Sequence, residues 1–494
     1  MVVEKLSLIQ NKIMDIAMAL TAEKDYNKLL YKIVDEARNI TNADGGTLYL
    51  LTDNKLHHKI MQTKSMAFYK GGLGETIGIE PLELNEAVVS SYCAINRELI
   101  NIKDVYETDL FDFSGPRKFD EMTGYQTKSM LVCPLISRKK KVVGILQLIN
   151  ATDKDGNVIE FDSDYEYIIE SLASQAGISI ENMQYLEEIR KLFESFVQVI
   201  AKTIDERTPY NKMHSENLAI RIKDFAQYLN QVKEGPLKDL FFSDAHIYKL
   251  VTAAWLHDIG KIVVPLEILD KPTRLDYRYE ILMDRYTLIQ LKMEINYLRN
   301  VVEKGYVKEQ EEKYADDINK LMDIREFVTE INTLSTYVDD EKIVKIYDIA
   351  KYQFENILEP ILTKEELKHL TIRKGTLTTD ERKLIEEHIS AGARILSKLE
   401  FPDYLENIYD WIINHHEYLD GSGYARGLKA NEISTESRMM TILDIFDSLV
   451  QSNRPYKKAF APDKAISILM SMSNEGKLDE NLVQAFIDSE LWKK

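Results

Sequence analysis

The stretch Ala253-Ala254-Trp255-Leu256-His257-Asp258-Ile259-Gly260-Lys261 decides how the second half of this chain is read. Its opening residues are apolar and suit a buried helix, and Gly260 is a residue type that ends helices, so an imidazole and a carboxylate leave the helix end side by side. Burying both without partners is costly. A divalent cation removes the cost, because neutral imidazole and ionised carboxylate both ligate first-row metals and an aspartate can bridge two ions.

Working outward, His415-His416-Glu417 forms a second adjacent cluster, after the apolar run Ile408 to Ile413 and before the turn Asp420-Gly421-Ser422-Gly423. His214, His388 and Asp444 lie in further, separate helical segments. The candidate metal ligands are therefore His214, His257, Asp258, His388, His415, His416 and Asp444. One ion takes about four protein ligands, so a set of this size points to two ions sharing a bridge. Taken alone, His246 and His369 read as core histidines. Two ions a few ångströms apart serve in-line displacement at phosphorus, which makes phosphate-ester hydrolysis the expected chemistry. Lys261, one turn from His257, and Arg454 and Lys457, soon after Asp444, are expected to hold the ester oxygens.

Taken in order, His257-Asp258-Ile259-Gly260-Lys261, His388 with Gly392, His415 to Tyr424, Asp444-Ile445-Phe446-Asp447-Ser448-Leu449 and Arg454-Pro455-Tyr456-Lys457 resemble the HD-GYP family, over about residues 195 to 276 and 374 to 490. The resemblance implies an all-α, metal-dependent hydrolase domain and a bacterial phosphodiesterase that opens cyclic di-GMP to linear pGpG or GMP at an iron or manganese centre. Carried over by position, it implies the ligand set already named, a catalytic role for Asp258 and Lys261, and substrate contacts from Lys261, Arg454, Lys457 and Tyr424. Three departures matter. The Gly423-Tyr424 pair is followed by Ala425 rather than proline, which removes a fixed φ and opens the question of substrate. Tyr210 stands where members with a third metal carry a carboxylate, so two ions are expected. A charged, Leu/Ile-periodic insertion from about Tyr277 to Arg373 separates the HD pair from His388 and reads as a helical arm or lid without chemistry. The metal set fixes the reaction type and not the leaving group, so another nucleotide or cyclic dinucleotide, or a module that holds nucleotide without turnover, stand as alternatives.

The first half has a different texture. β-type runs at Gly46 to Leu51, Leu56 to Gln62, Ser129 to Ile136 and Val142 to Asn150 are separated by turns such as Asp53-Asn54 and Asp155-Gly156-Asn157. Ala43-Asp44-Gly45-Gly46-Thr47-Leu48-Tyr49, Ile102 to Tyr106, Thr123-Gly124-Tyr125 and the run from Ser129 to Leu135 resemble the GAF domain over roughly residues 22 to 184. That implies an antiparallel sheet with flanking helices that senses a small molecule. Asn150 is followed by Ala151 where cyclic-nucleotide-binding members carry an Asn-Lys pair, so the ligand stays unknown. The expected fold is thus multidomain: an α+β sensor followed by an all-α domain from about 208 to 494.

Heptad-type seams flank the sensor. Leu6, Ile9, Ile13, Ile16 and Leu20 form one, and Leu186, Ile189, Phe193, Phe196 and Ile200 form another in a connecting helix at about 185 to 207. Either these helices pack on the domain beside them, or they pair in a homodimer.

A length of 494 residues predicts two to four domains. The net charge of −18 argues against long nucleic acid as a partner, although a small anion remains compatible. Two cysteines cannot build a disulfide framework in such a chain, which fits a cytoplasmic protein. Neither a secretion signal nor a membrane span is expected.

Overall fold

The computed structural model describes residues 25–72, 77–207, 213–333, 337–451 and 459–493, with positions 14, 16, 18–20, 22 and 23. It divides into two units, Met1–Leu192 and Phe193–Lys494. Leu6, Ile9, Ile13, Tyr210, Arg454 and Lys457 lie outside the described residues. Among the described residues, no helix is long and apolar enough to cross a membrane.

The first unit opens with α1 (Tyr26–Thr41), started by Asp25, whose carboxylate accepts the Lys28 N–H, and closed by Asn42 in a left-handed conformation. There follow β1 (Ala43–Thr52), β2 (Lys55–Thr63), β3 (Phe68–Gly71), β4 (Leu82–Glu83), α2 (Val89–Asn96), β5 (Ile100–Ile102), α3 (Ser114–Thr123), β6 (Met130–Ile136), β7 (Val142–Thr152) and β8 (Val158–Ile159). The strands form one antiparallel sheet in the order β3-β2-β1-β7-β6-β5, with β4 beside β2 and β8 beside β7.

Alternation along the strands loads both faces. Leu48, Leu50, Leu131, Cys133, Leu146 and Leu148 pack with Leu29, Ile33 and Val34 of α1. Tyr49, Met130, Val132 and Ile145 pack on the other side with Val89 and Cys93 of α2. Ile16 and Leu20 of the first seam are buried in the α1-side core. β1, β2 and β7 each contain a run expected from the sequence, and β6 matches its run except for Ser129, which precedes the strand. β3, β4, β5 and β8 are too short to carry an alternation signal of their own.

α4 (Ser163–Asp205) runs from the first unit into the second. Of its seam, Leu186, Ile189 and Phe196 are exposed, whereas Phe193 and Ile200 are half-buried against the second unit's core.

The second unit is helical. It contains α5 (His214–Leu229), α6 (Asp244–Leu256), a 3-10 turn at Ile259–Val263, α7 (Leu266–Leu269), α8 (Arg278–Lys304), α9 (Lys308–Thr333), α10 (Asp340–Lys351), α11 (Lys364–Leu370), α12 (Thr379–Leu396), α13 (Ile408–Ile413), α14 (Thr435–Val450), α15 (Pro462–Asn474) and α16 (Glu480–Asp488). Ser243 caps α6, Ser434 caps α14, and Thr378 with Glu381 forms a capping box on α12. Leu218, Ile222 and Phe225 of α5, Leu250 and Ala253 of α6, and Met440, Leu443 and Phe446 of α14 make one core.

The insertion, α8 to α11, has a core of its own, built on Leu282, Tyr286, Ile289, Leu321, Phe327, Val328 and Ile331. Its root is polar and buried. The Arg274 guanidinium donates to the Ile331 and Ile372 carbonyls at 2.7 and 3.1 Å. The Lys271 ammonium sits 2.8 Å from both Glu381 oxygens and donates to His369 Nδ1 at 3.0 Å. His369 is thus a structural histidine, in line with its sequence reading.

Candidate metal centre

Three helix ends and the faces of two further helices converge on a single buried spot. α6 ends at Leu256 and delivers His257 and Asp258, α5 begins at His214, α13 ends just before His415 and His416, α12 carries His388, and α14 carries Asp444. The 3-10 turn after Asp258 can approach α12 only because residue 260 is glycine: a Cβ there would lie 1.8 Å from the His388 carbonyl oxygen. That contact sets Asp258 beside His388 across the insertion.

The structure brings all seven sequence-derived ligand candidates together. His214 Nε2 lies 3.2 Å from His257 Nε2, 3.0 Å from Asp444 Oδ1 and 3.6 Å from Asp258 Oδ2. Asp258 reaches His257 Nε2 at 3.1 Å through one oxygen and His388 Nε2 at 3.5 Å through the other. His416 Nδ1 is 3.9 Å from Asp444 Oδ2, and the His257 and His415 rings are 5.0 Å apart between centroids. Within the set, His214, His257 and Asp258 form one group with ligand atoms inside 4.8 Å, and His388, His415 and His416 form a second.

Local hydrogen bonds aim the imidazoles. His257, His388 and His415 each place Nδ1 on the carbonyl three residues earlier, at 2.7, 2.6 and 2.5 Å. A carbonyl can only accept, so Nδ1 carries the proton and the Nε2 lone pair faces the cluster. His214 is oriented through Nδ1 by Asp447 at 2.8 Å, and Asp447 is itself held by Arg221 Nε at 3.3 Å. Such a carboxylate-to-histidine contact is the usual outer support of a metal ligand. Asp447 has no role in the sequence reading, although it follows Asp444 by three residues, one helical turn, and that spacing is the signal that finds it.

The charges also match a cation site. Burial, with His257 beside it, pushes His415 down to about 3, and His388 and His416 are lowered by the same desolvation. These rings are neutral and able to donate a lone pair. Asp258 and Asp444 are buried, which alone would raise them, but the surrounding imidazoles, joined at Asp258 by Lys261, hold both below the usual carboxylate range. His214 runs the other way: its hydrogen bonds to Asp444 and Asp447 outweigh burial and lift it to about 10. Three buried atoms, Asp258 Oδ1, His388 Nε2 and His415 Nε2, have no hydrogen-bond partner at all. Orphaned ligand atoms converging on one point are what a site built for divalent cations leaves when only its protein atoms are counted. The residues present fit the group.

Lys261 points its ammonium at Asp258 Oδ2, 2.5 Å away. Tyr424 lies over His416, with ring centroids 4.7 Å apart. Tyr424 lines a cavity of about 250 Å³ whose walls also include His416, Asp444, Ser448 and Phe460. Glu417, adjacent to the ligands but not aimed at them, accepts the backbone N–H groups of Arg426 and Gly427 at 2.7 and 3.2 Å and of Leu428 at 2.9 Å. It holds the loop that follows Tyr424 and so offsets the φ restraint that Ala425 lacks.

Comparison with known proteins places these features. The GAF domain family matches residues 25–180, and the HD domain family matches residues 364–482. A cyclic di-GMP phosphodiesterase of Thermotoga maritima is 29% identical over 264 residues, which is 50% of this chain and 69% of that one. A 3'3'-cGAMP-specific phosphodiesterase of Vibrio cholerae is 33% identical over 25% of this chain and 27% of its own. A cyclic di-GMP phosphodiesterase of Pseudomonas aeruginosa is 32% identical over 29% of this chain and 30% of its own. The matched stretch therefore spans most of the first relative but less than a third of the other two.

Proposed function

We propose that this chain, a GAF domain followed by an HD domain, is a phosphodiesterase that opens cyclic di-GMP to pGpG or GMP under control of the GAF domain. The observation that carries the reading is the convergence of three unpartnered, buried ligand atoms within a set of five imidazoles and two carboxylates. His214, His257, Asp258, His388, His415, His416 and Asp444 would hold two divalent ions, iron or manganese. Bound there, such ions would make water nucleophilic near neutral pH and neutralise phosphoryl oxygens. Lys261 adds a cation beside Asp258, and Tyr424 shapes the wall of the cavity against His416. Arg454 and Lys457, in the segment that follows the cavity wall at Gln451, are assigned to the ester oxygens on sequence position.

Control by the GAF domain would pass along α4. Its end grips the metal-bearing segments twice: Asp205 accepts both the N–H and the hydroxyl of Ser215 at 3.1 Å, and Arg207 donates to the Lys261 carbonyl and to Val264 O at 2.9 Å. A small molecule of unknown identity in the GAF domain would act by favouring one of two placements of that helix end. A homodimer through the exposed apolar residues of α4 would stiffen the coupling. Both cysteines are free and buried, compatible with a reducing cytoplasm.

A second reading keeps the ions and changes the substrate to another cyclic dinucleotide, since two matched relatives from Vibrio cholerae are named for 3'3'-cGAMP. Purified protein loaded with manganese or ferrous iron should be offered cyclic di-GMP, 3'3'-cGAMP and mononucleotide esters, with products separated by chromatography. Linear pGpG from cyclic di-GMP is the expected result. Preference for 3'3'-cGAMP would move the assignment to the second reading, and tight binding of a nucleotide without turnover would replace an enzyme by a binding module.

A further inference from the structure

α8 is apolar on two faces, and its arm uses only one of them. Leu282, Met283, Tyr286, Ile289 and Met293 are buried in the core of the insertion. On the opposite face Ile281, Leu288, Leu291, Ile295, Leu298 and Val302 are between 43% and 84% exposed. Their spacing, seven and then three, four, three and four, is that of the a and d positions of a heptad, with Asp284 at the one polar d position. The continuous apolar seam therefore runs from Leu288 to Val302. Single exposed apolar residues are ordinary, but a row of five at heptad spacing on one helix is a surface shaped for another helix.

Residue type along the seam selects the partner. The a positions are Ile281, Leu288, Ile295 and Val302, mostly β-branched, and the apolar d positions, Leu291 and Leu298, are leucine. That distribution favours two parallel strands. The flanking charges agree. The e positions are Arg285, Lys292 and Arg299, and the g positions include Glu280 and Glu294. A parallel pair sets each g residue against the e residue of the next heptad on the other chain, which joins Glu294 to the partner's Arg299. An antiparallel pair of the same helix sets cation on cation and carboxylate on carboxylate. Arg285 and Lys292 are already engaged within the chain by Glu366 and Glu359, so Glu294 and Arg299 are the pair that acts between chains.

We infer that α8 of the insertion is one strand of a parallel, in-register coiled coil completed by α8 of a second copy of this chain. The helix is already folded and packed by its other face into its own arm before any partner arrives, so a seam of about two heptads associates without the ordering cost that a free peptide bears. The inference concerns assembly and is independent of the chemistry assigned to the metal centre.

The test uses the full-length chain with Leu298→Cys, oxidised at micromolar concentration and read on a non-reducing gel. The two native cysteines are buried and do not compete. A d-position cysteine meets its own copy only in a parallel, in-register pair, so most of the protein should become a covalent dimer. Adding Leu291→Lys should abolish cross-linking while leaving the thermal unfolding temperature of the chain unchanged, because Leu291 is exposed. Adding Glu294→Arg should slow cross-linking, and mixing that chain with one carrying Leu298→Cys and Arg299→Glu should restore it. A Leu298→Cys chain that stays uncross-linked, or that cross-links equally well with Leu291→Lys, overturns the inference. A dimer that persists without this cross-link would place the contact elsewhere, on α4 first.

Discussion

Asp120 and Asn150 in the sheet unit are as deeply buried as Asp258 and His388 in the helical one, yet the two pairs end differently. Asp120 accepts from Tyr106 and from both the amide and the hydroxyl of Thr127. Asn150 donates to the Gln126 carbonyl and the Tyr125 hydroxyl and accepts from the Lys128 amide, while Tyr125 continues to Asp44 at 2.7 Å. That network closes on itself. Around Asp258 and His388 the network stays open at three ligand atoms, and these face one another. Closed burial of polar groups serves the fold, and open burial that converges serves a ligand.

The largest effect separating the two clusters should come from Asp258→Ala. It removes the carboxylate shared between His214, His257 and His388, so metal content by elemental analysis and turnover should vanish together, with the fold intact by circular dichroism. Full metal content in that variant would erase the distinction drawn between open and closed networks. Next comes Asp447→Asn, which keeps the shape but loses the charge that orients His214. Metal affinity should fall by about 10- to 100-fold, measured by competition with a chelator, and an unchanged affinity would make Asp447 a packing residue only.

The closed network predicts the opposite pattern. Asn150→Ala should cost about 1–3 kcal/mol in chemical denaturation of the first unit, because it strands the Lys128 amide and the Gln126 carbonyl, and it should leave metal content untouched. The smallest effect concerns the root of the insertion. Burial and then the Lys271 ammonium push His369 down to about 4. An unfolded histidine protonates near 6.5, so the neutral ring contributes stability that is complete above that pH and is lost as pH falls toward 4. In His369→Gln the decline of stability between those pH values should be shallower than in the parent; identical acid limbs would show that His369 titrates normally.

Much of this was legible in residue order, for reasons that differ by region. β1, β2, β6 and β7 announce themselves as β-type runs bounded by turn residues, and the ligand candidates do so because histidine and aspartate clustered on apolar helices are expensive to bury otherwise. Asp447 and Glu417 stood inside quoted motifs without a role, since their partners, His214 and the amides after Tyr424, are found only in three dimensions. The Lys271, His369 and Glu381 cluster has no local signal at all, because its members are joined only when the insertion folds back on its root. The second apolar face of α8 was equally hidden: a charged, Leu/Ile-periodic helix reads as one-faced until burial separates the residues of its core from the exposed row.

The close approach of Gly260 to the His388 carbonyl has a consequence for the order in which the chain is assembled. Asp258 and His388 are separated by the entire insertion, and closing so long a loop while it is still disordered is entropically unfavourable. The insertion has its own core of mostly helical, short-range contacts, and its two ends are tied by Arg274 to the Ile331 and Ile372 carbonyls. Once it has folded, the polymer between Asp258 and His388 is no longer a long flexible tether but a folded hairpin with adjacent ends. The arm is thus expected to form early and to turn one long-range encounter in the metal centre into a local one.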